Sequence, residues 1–364
     1  MPIKEESFRI GCGRYIQGRG YAERCGEEVM RIGSSPLVIG DGTALFVAKD
    51  RLKRGFDGVC EKYEFLEYNG SCNDEAAGEL AGYALERGYD VIVGVGGGVI
   101  MDFAKLCAHF AALPVINVPT SSATCAAFTP LSVRYTPEGR TVGSLHLGHE
   151  VNGVVVDTEI IAAQPVRLLL AGVFDALAKF IEIRHRYMGD IDADYDMGLD
   201  YAYVMSEHSF KLLNMKTALC IEDMKRGEVS RDLENVIFTT ICATGVISGI
   251  ARGSNQCALA HKFYEAVRAF LPEESKPYLH GEIVGVGLLL QNHYNGESEN
   301  NDALLELMRD NGMPCGIESV GVPATEEWYD RFYDRLCHCS SIDADNKEEC
   351  ARLAESLRYL WNIK

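Results

Sequence analysis

The sequence is short of positive charge. Lysine and arginine number 35 against 53 aspartate and glutamate residues, which gives a formal net charge of −18 at pH 7. Nucleic acids and anionic membrane surfaces are bound through basic patches, so this balance argues against either as a partner. If the chain binds an anionic small molecule, the positive charge that holds it must be local to that site.

Long apolar runs are lacking as well. We find no apolar segment of the roughly 20 residues that a helix needs to cross a bilayer. The amino terminus, residues 1–6, contains no apolar signal region. We therefore expect no membrane partner.

A disulfide framework is also missing. The thirteen cysteines are an odd number in a long chain, and their spacing shows no pairing pattern. Cys337-His338-Cys339 lacks the C-x-x-C spacing of zinc modules, so we interpret these three as ordinary surface or core residues, with metal binding as the alternative. Reduced thiols in a cytoplasmic protein fit this pattern.

The chain has 364 residues, more than the usual size of one domain. Its first half is predicted to alternate strands with helices, and its second half to be helical. Four apolar runs separated by helical stretches lie in the first half: 35–40, 90–95, 114–119 and 153–157. Such runs, linked by helices, predict a parallel sheet covered on both faces. After Pro165 the predicted elements are helices: 167–186, 200–213, 233–250, 254–270, 281–294 and from 348 onward. The sequence therefore predicts an α/β domain over residues 1–164 and an all-α domain over residues 165–364.

A glycine-rich turn follows the second apolar run. Gly94-Val95-Gly96-Gly97-Gly98 leads into a predicted helix. Glycine lets the backbone approach a ligand closely, and a helix amino terminus offers free N–H groups to a pyrophosphate. A tight turn without a ligand is the alternative, but four glycines in five residues lose more backbone entropy than such a turn requires. The G-x-G-x-x-G fingerprint is incomplete, because Val99 stands where its last glycine is needed.

The turn belongs to a longer motif. Gly96-Gly97-Gly98-x-x-x-Asp102-x-Ala104-Lys105, followed by Pro119-Thr120, resembles the iron-containing alcohol dehydrogenase superfamily and fits its glycerol dehydrogenase branch best. Further segments resemble that branch in the same order: 13–18, 131–136, 171–178, 258–261 and 280–282. The resemblance implies an amino-terminal nucleotide-binding domain, a helical carboxy-terminal domain, a bound metal and a homo-oligomer.

The resemblance also assigns residues to the cofactor. Asp41 would meet the adenosine ribose, where a carboxylate favours NAD over NADP. Gly97 and Gly98 would face the pyrophosphate. The other cofactor-binding positions that it implies are Gly96, Asp102, Thr120, Ser121, Ala123, Thr129, Leu131 and Tyr135.

Three residues match the metal ligands of the superfamily, namely Asp175, His261 and His280. Alone, each has a structural alternative: a buried histidine of the core, or an aspartate at a helix start. Together and in this order they favour a metal site. One carboxylate and two imidazoles suit Zn²⁺ with one position open for substrate, more than Fe or another divalent metal.

Three positions depart from the relatives. Cys125 stands where glycerol dehydrogenases carry an aspartate for the polyol, and Thr124-Cys125-Ala126-Ala127 resembles a hydroxycarboxylate dehydrogenase instead. Lys179 replaces the fourth ligand, a histidine, of iron-dependent relatives. Tyr264 replaces a second histidine three residues after His261. We expect Cys125 and Lys179 to act in catalysis beside the three ligands, with Lys179 holding a substrate carboxylate.

These features predict a metal-dependent NAD(H) oxidoreductase that acts on a small hydroxyacid or, as another possibility, a glycerol-type polyol. An NAD- and metal-dependent cyclase of the dehydroquinate synthase type is the alternative, although such enzymes usually have glutamate where Asp175 stands. A cofactor-binding protein without chemistry is a third class, which the intact ligand set disfavours.

Overall fold

A computed structural model describes residues 10–137, 140–186, 197–252 and 256–363. The chain divides into two compact units. The sheet unit runs up to Pro165 and includes Leu219–Gly249, and the helical unit consists of Val166–Ala218 and Ile250–Lys364. The sequence analysis placed 219–249 in the helical domain, whereas this segment clusters with the sheet unit.

The sheet unit contains a six-stranded sheet in the order β1-β8-β5-β4-β2-β3, with parallel pairing throughout, and a β6-β7 antiparallel hairpin. The strands are β1 (Tyr15–Gly18), β2 (Pro36–Gly40), β3 (Glu64–Glu67), β4 (Val91–Gly96), β5 (Val115–Pro119), β6 (Leu131–Tyr135), β7 (Thr141–His146) and β8 (Gly153–Asp157). Strands β2, β4, β5 and β8 are fully buried, because helices cover both faces of a parallel sheet. The predicted α/β plus all-α fold is confirmed.

The helices are divided between the two units. Their bounds are α1 (Cys25–Val29), α2 (Gly42–Phe56), α3 (Asp74–Glu86), α4 (Gly98–Ala111), α5 (Thr158–Ala162), α6 (Val166–Arg186), α7 (Met197–Lys225), α8 (Arg231–Phe238), α9 (Thr244–Ile250), α10 (Leu259–Phe270), α11 (Pro272–Ser275), α12 (His280–Tyr294), α13 (Asn300–Asp310), α14 (Glu326–Cys337) and α15 (Lys347–Trp361). Helices α1 to α5 belong to the sheet unit, as do α8, nearly all of α9 and the last residues of α7, and the other helices form the helical unit. The sequence analysis expected a helix from residue 254, whereas α10 begins at Leu259.

Residues 231–250 form one helical stretch, in which a π-helical turn, Thr239–Ala243, joins α8 to α9. By length and composition alone this stretch is a candidate for crossing a membrane, which the sequence analysis did not expect, because its most apolar 18-residue window has a mean hydropathy of 1.5. Its apolar window is 56% buried within the protein. The Phe238 ring packs edge-on against Tyr15 at 5.6 Å, and a side chain at Gly245 would overlap Phe128. These contacts are typical of a core helix and explain its place in the sheet unit.

Two glycines bring three helices of the helical unit into close contact. A methyl group at Gly281 of α12 would lie 1.8 Å from the carbonyl oxygen of Ala171 in α6. One at Gly287 of α12 would lie 2.6 Å from the carbonyl oxygen of Ala260 in α10. Because real side chains do not approach so closely, glycine is required at both positions. Helix α12 therefore lies directly against α6 and α10, the two helices that carry Asp175 and His261.

Candidate active site

Side chains from α6, α10 and α12 converge on one point in the helical unit. Asp175 lies in the middle of α6, His261 in the first turn of α10, and His280 begins α12. Potential ligand atoms of all three lie within 4.8 Å of one another. The Asp175 Oδ1 atom is 3.5 Å from Nε2 of His261 and 3.7 Å from Nε2 of His280. The structure thus brings together the three residues that the sequence analysis selected.

Burial and charge set the protonation of these side chains. Asp175 and His261 are buried, and His280 is partly exposed. Burial would raise the pKa of Asp175, but the Lys179 charge and the two neighbouring imidazoles outweigh it and hold that pKa well below its usual value. Burial lowers the pKa of His280, against the opposing effect of Asp175. Burial would lower the pKa of His261 too, but Cys257, Glu182 and Asp175 outweigh it and hold that pKa well above its usual value. An ionised carboxylate and a neutral imidazole are the forms that bind a metal, so metal binding would displace a proton from His261.

The position of His280 is supported by an aromatic neighbour. The Tyr264 ring packs edge-on against the His280 ring, with 4.3 Å between their centroids. Tyr264 thus restricts the rotation of His280 by contact, at the position where relatives carry a second histidine.

Lys179 lies one turn after Asp175 on α6, as its i,i+4 spacing predicts. The ammonium donates to Asp175 Oδ1 at 3.0 Å and lies 3.5 Å from Nε2 of His261. Its side chain is only 5% exposed. The pair is therefore not the exposed surface contact that i,i+4 spacing alone allows.

Glu182 is a member of this cluster that the sequence analysis missed. It follows Asp175 by two helical turns on α6, and its side chain is fully buried. Its Oε1 atom accepts the backbone N–H groups of Ala258 at 2.7 Å and His261 at 2.9 Å, and Oε2 accepts from Nδ1 of His261. Burial would raise the pKa of Glu182, but the charge and hydrogen bonds of His261 hold it below its usual value. The only sequence signal was a carboxylate inside the apolar run Phe180-Ile181-Glu182-Ile183.

In the sheet unit, the carboxyl ends of β2, β4 and β5 bring predicted cofactor residues side by side. Residue pairing aligns Gly40 with Val95 and Gly96 with Pro119, so Asp41, Gly97 and Thr120 follow neighbouring strand ends. The Asp41 side chain caps α2 by accepting the Ala44 N–H at 2.8 Å. The edge of a parallel sheet where strands meet helix amino termini is the usual place for nucleotides.

The glycines of the turn serve different purposes. A methyl group at Gly94 would lie 2.6 Å from Cβ of Ala104, and one at Gly96 would lie 2.8 Å from Cβ of Ile100, so both are required by packing. At Gly97 the nearest atom would be Oγ of Ser121 at 3.7 Å, an ordinary contact. The φ of Gly97 is −88°, which other residues also adopt. Neither packing nor backbone geometry thus requires glycine there, whereas a ligand approaching the start of α4 would.

The remaining predicted cofactor residues lie near this turn or in the segment that follows β5. A methyl group at Gly98 would lie 3.2 Å from Oγ1 of Thr124. Thr120 donates its backbone N–H to Gly96, and the carbonyl of Cys125 accepts from Phe128 and Thr129 in a short turn. Partly exposed side chains in this region are Ser121, Ala123, Cys125, Thr129, Leu131 and Tyr135.

Asp102 is placed differently from the other cofactor candidates. It is 7% exposed, and its carboxylate pairs with Lys105 at 2.9 Å and accepts the Val133 N–H at 3.1 Å. The Lys105 ammonium also donates to the carbonyls of Ala126 and Thr129, at 2.7 and 2.9 Å, and to that of Leu131. This geometry favours an indirect role for Asp102, in which it holds the cofactor segment in place.

Comparison with known proteins supports the family resemblance that the motifs indicate. A family model of iron-containing alcohol dehydrogenases matches residues 12–157. Glycerol dehydrogenase of Thermotoga maritima is 30% identical over 321 residues, which are 86% of this chain and 85% of that protein. Hydroxycarboxylate dehydrogenase A of Escherichia coli is 31% identical over 236 residues, 64% of this chain and 63% of that protein.

A solved structure agrees in fold. The crystal structure of glycerol dehydrogenase from Schizosaccharomyces pombe has a TM-score of 0.82 at 23% identity and covers 98% of this chain and 91% of that one. The resemblance drawn from the motifs is thus confirmed by sequence identity along most of the chain. The chain belongs to the iron-containing alcohol dehydrogenase superfamily, in its glycerol dehydrogenase-like branch, and is an NAD-dependent alcohol dehydrogenase that uses a divalent metal.

Proposed function

We propose that the enzyme uses zinc and NAD(H) to interconvert a small 2-hydroxyacid and its 2-oxo acid. The observation that carries this proposal is the buried ammonium of Lys179, 3.0 Å from Asp175 and among the residues that fit a metal. A protein with a net charge of −18 needs local positive charge to attract a carboxylate. Lys179 supplies such a charge where the substrate would react.

The donor set of the helical unit fits zinc. Asp175, His261 and His280 would hold it, since one carboxylate and two imidazoles are ligands that catalytic zinc sites use. Lys179, at the position of the histidine ligand of iron-dependent relatives, carries an ammonium with three donors and no lone pair. Three protein ligands leave a position open for the substrate.

The metal and the cofactor, when bound, would supply the redox chemistry: the metal would polarise a carbonyl or acidify an alcohol, and the nicotinamide would give or take the hydride. The chain's own contribution is to hold and orient the reactants. Lys179 binds the substrate carboxylate by a charge-assisted hydrogen bond, which is stronger than a neutral one. Gly97, at the start of α4, leaves room for the pyrophosphate, and the Asp41 carboxylate accepts from the ribose 2′-hydroxyl and repels a 2′-phosphate.

A glycerol-type polyol is the second candidate substrate, favoured by the similarity to the glycerol dehydrogenase of Thermotoga maritima. Cys125 stands at the position where the resemblance expects a polyol-binding aspartate. A thiol is a weak donor and a poor acceptor, so Cys125 favours the hydroxyacid. The cyclase alternative is not retained, because the relatives are dehydrogenases.

The test is to replace Lys179 with threonine and compare two substrate classes. We expect kcat/KM for 2-oxo acids to fall about 10- to 100-fold, from the ~1.5–3 kcal/mol of a hydrogen bond to a charged group. Aldehydes and ketones without a carboxylate should lose far less. Lys211→Thr is the matched control, because it removes an exposed i,i+4 pair with Glu207 and should change neither class. An equal loss for acids and uncharged carbonyls would refute the role of Lys179 and the hydroxyacid assignment.

We also propose that the enzyme is a cytoplasmic homo-oligomer. The odd number of cysteines without a pairing pattern supports a reducing compartment, and the family resemblance supports self-association. Light scattering of the purified enzyme tests the oligomer directly.

A further inference from the structure

We propose that Glu182 is a positioning residue that selects the metal-binding tautomer of His261 and thereby sets the metal affinity of the site. This inference rests on the proposed metal site, and it goes beyond it by assigning a function to a residue that would not touch the metal. Glu182 contacts Nδ1 of His261, and Nε2 of the same ring faces Asp175.

The contacts of Glu182 leave little freedom for its carboxylate. Oε1 accepts two backbone N–H groups, from Ala258 and His261, at 2.7 and 2.9 Å. Oε2 therefore faces Nδ1 of His261 and accepts from it. Since a carboxylate can only accept, Nδ1 must carry a proton.

The proton on Nδ1 determines what Nε2 can do. A neutral imidazole has one N–H donor and one acceptor, so a proton held on Nδ1 leaves the Nε2 lone pair available. Nε2 lies 3.5 Å from Oδ1 of Asp175, in the cluster that fits a metal. Carboxylates in this arrangement orient metal-binding histidines, and their loss costs about 10- to 100-fold in metal affinity.

Glu182 also caps a helix, and the two functions must be separated. Ala258 occupies the N-cap position of α10 and offers no side-chain acceptor, so Glu182 supplies it from α6. Glu182→Gln separates the functions. The amide oxygen still accepts the two backbone N–H groups, while the amide NH₂ is turned towards Nδ1. It then donates to Nδ1 and favours the tautomer with the proton on Nε2, which is unable to bind a metal.

The experiment measures zinc affinity of the purified apo-enzyme by competition with a chromophoric chelator. Glu182→Gln should weaken zinc binding about 10- to 100-fold, with a thermal midpoint of the apo-enzyme close to wild type. Glu282→Gln is the matched control: Glu282 caps α12, which begins with the other histidine, by accepting the Leu279 N–H at 2.7 Å and pairs with Arg167. We expect its zinc affinity to change less than threefold.

The outcomes separate this inference from the proposed function. If wild-type enzyme binds no zinc, the proposed metal site fails. If wild type binds zinc and both glutamine variants lose affinity equally, or neither loses any, Glu182 is only a cap and the inference is overturned. A second measurement needs no change at Glu182: in zinc-loaded, ¹⁵N-histidine-labelled enzyme, the resonance of His261, assigned with His261→Asn, must show a proton on Nδ1. A proton on Nε2 overturns the inference.

Discussion

Lys105→Met is predicted to destabilise the sheet unit strongly. The Lys105 side chain is fully buried and pairs with Asp102, three residues earlier on α4. Its ammonium also donates to three backbone carbonyls of the segment that follows β5, those of Ala126, Thr129 and Leu131. Methionine fills a similar volume but offers no donor, so the buried carboxylate loses its partner.

The expected loss follows from these contacts. Removing one partner of a buried ion pair costs about 3–5 kcal/mol. The three carbonyls belong to partly exposed residues, so water can replace part of what Lys105 supplied. We expect the free energy of unfolding to fall by about 3–5 kcal/mol, a large share of the ~5–15 kcal/mol of a typical domain. Asp102→Asn should cost less, about 1–3 kcal/mol, because Lys105 keeps its carbonyls and the amide can still accept from Val133.

The loss should also depend on pH. Burial already raises the pKa of Asp102, and Lys105 is the main opposing influence, so Lys105→Met raises that pKa further. A group whose pKa is raised on folding stabilises the folded state at low pH and loses this contribution as pH rises through the folded-state pKa. The variant should therefore be closer to wild type at about pH 5.5 than at about pH 8.5.

Urea unfolding followed by circular dichroism at both pH values measures this. Lys225→Met is the control, because Glu222 and Lys225 form an exposed pair at the same i,i+3 spacing, worth no more than about 1 kcal/mol. A loss below 1 kcal/mol at the higher pH, or one that is equal at both pH values, would refute the account of Lys105.

Three further predictions concern the metal, the cofactor and the glycine turn. His261→Ala or His280→Ala should abolish turnover and lower bound zinc while NAD affinity, measured by fluorescence titration, stays near wild type; full activity after exhaustive chelation would contradict the metal site. Asp41→Asn keeps an acceptor that caps α2 but removes the charge, so the ratio of kcat/KM for NAD to that for NADP should fall; equal values in wild type would show that Asp41 does not select the cofactor. Gly97→Ala should leave the urea midpoint unchanged and raise the KM for NAD at least about 10-fold, the effect of ~1.4 kcal/mol, whereas Gly94→Ala should lower stability by about 1–3 kcal/mol through overlap with Ala104. If the Gly97→Ala variant binds NAD normally, the pyrophosphate does not bind at that turn.

The sequence predicts the interior of the sheet better than its edges. Strands β2, β4, β5 and β8 were predicted because each is buried on both faces and almost wholly apolar. The two edge strands were missed: β1 and β3 have the sequences YIQG and EFLE, mix polar with apolar residues and are only half buried. An edge strand faces solvent on one side, so its composition does not separate it from a loop. The same reasoning applies to the β6-β7 hairpin, whose second strand is mostly exposed.

In the site as well, local motifs predict some residues, whereas others are found only from the packing of the helices. Asp175, His261 and His280 were recognised because each lies in a segment with its own local resemblance. Glu182 was missed because its partners are backbone N–H groups of another helix, far away in the sequence. No local pattern records which buried carboxylate meets which helix end, since that depends on how α6 and α10 both pack against α12.

The two buried lysines show why this matters for function. Lys105 and Lys179 each follow an aspartate by one helical turn, and each pairs with it at about the same distance, 2.9 and 3.0 Å. Their spacings from the aspartate, i,i+3 and i,i+4, both allow such a pair, so spacing alone does not distinguish the two lysines. Their other neighbours differ: Lys105 donates to three backbone carbonyls, which hold it in a structural role, whereas Lys179 lies beside His261 and shares Asp175 with both histidines. A charge whose neighbours are themselves candidate metal ligands is placed to act on what the metal binds, so the substrate carboxylate is proposed for Lys179 and not for Lys105.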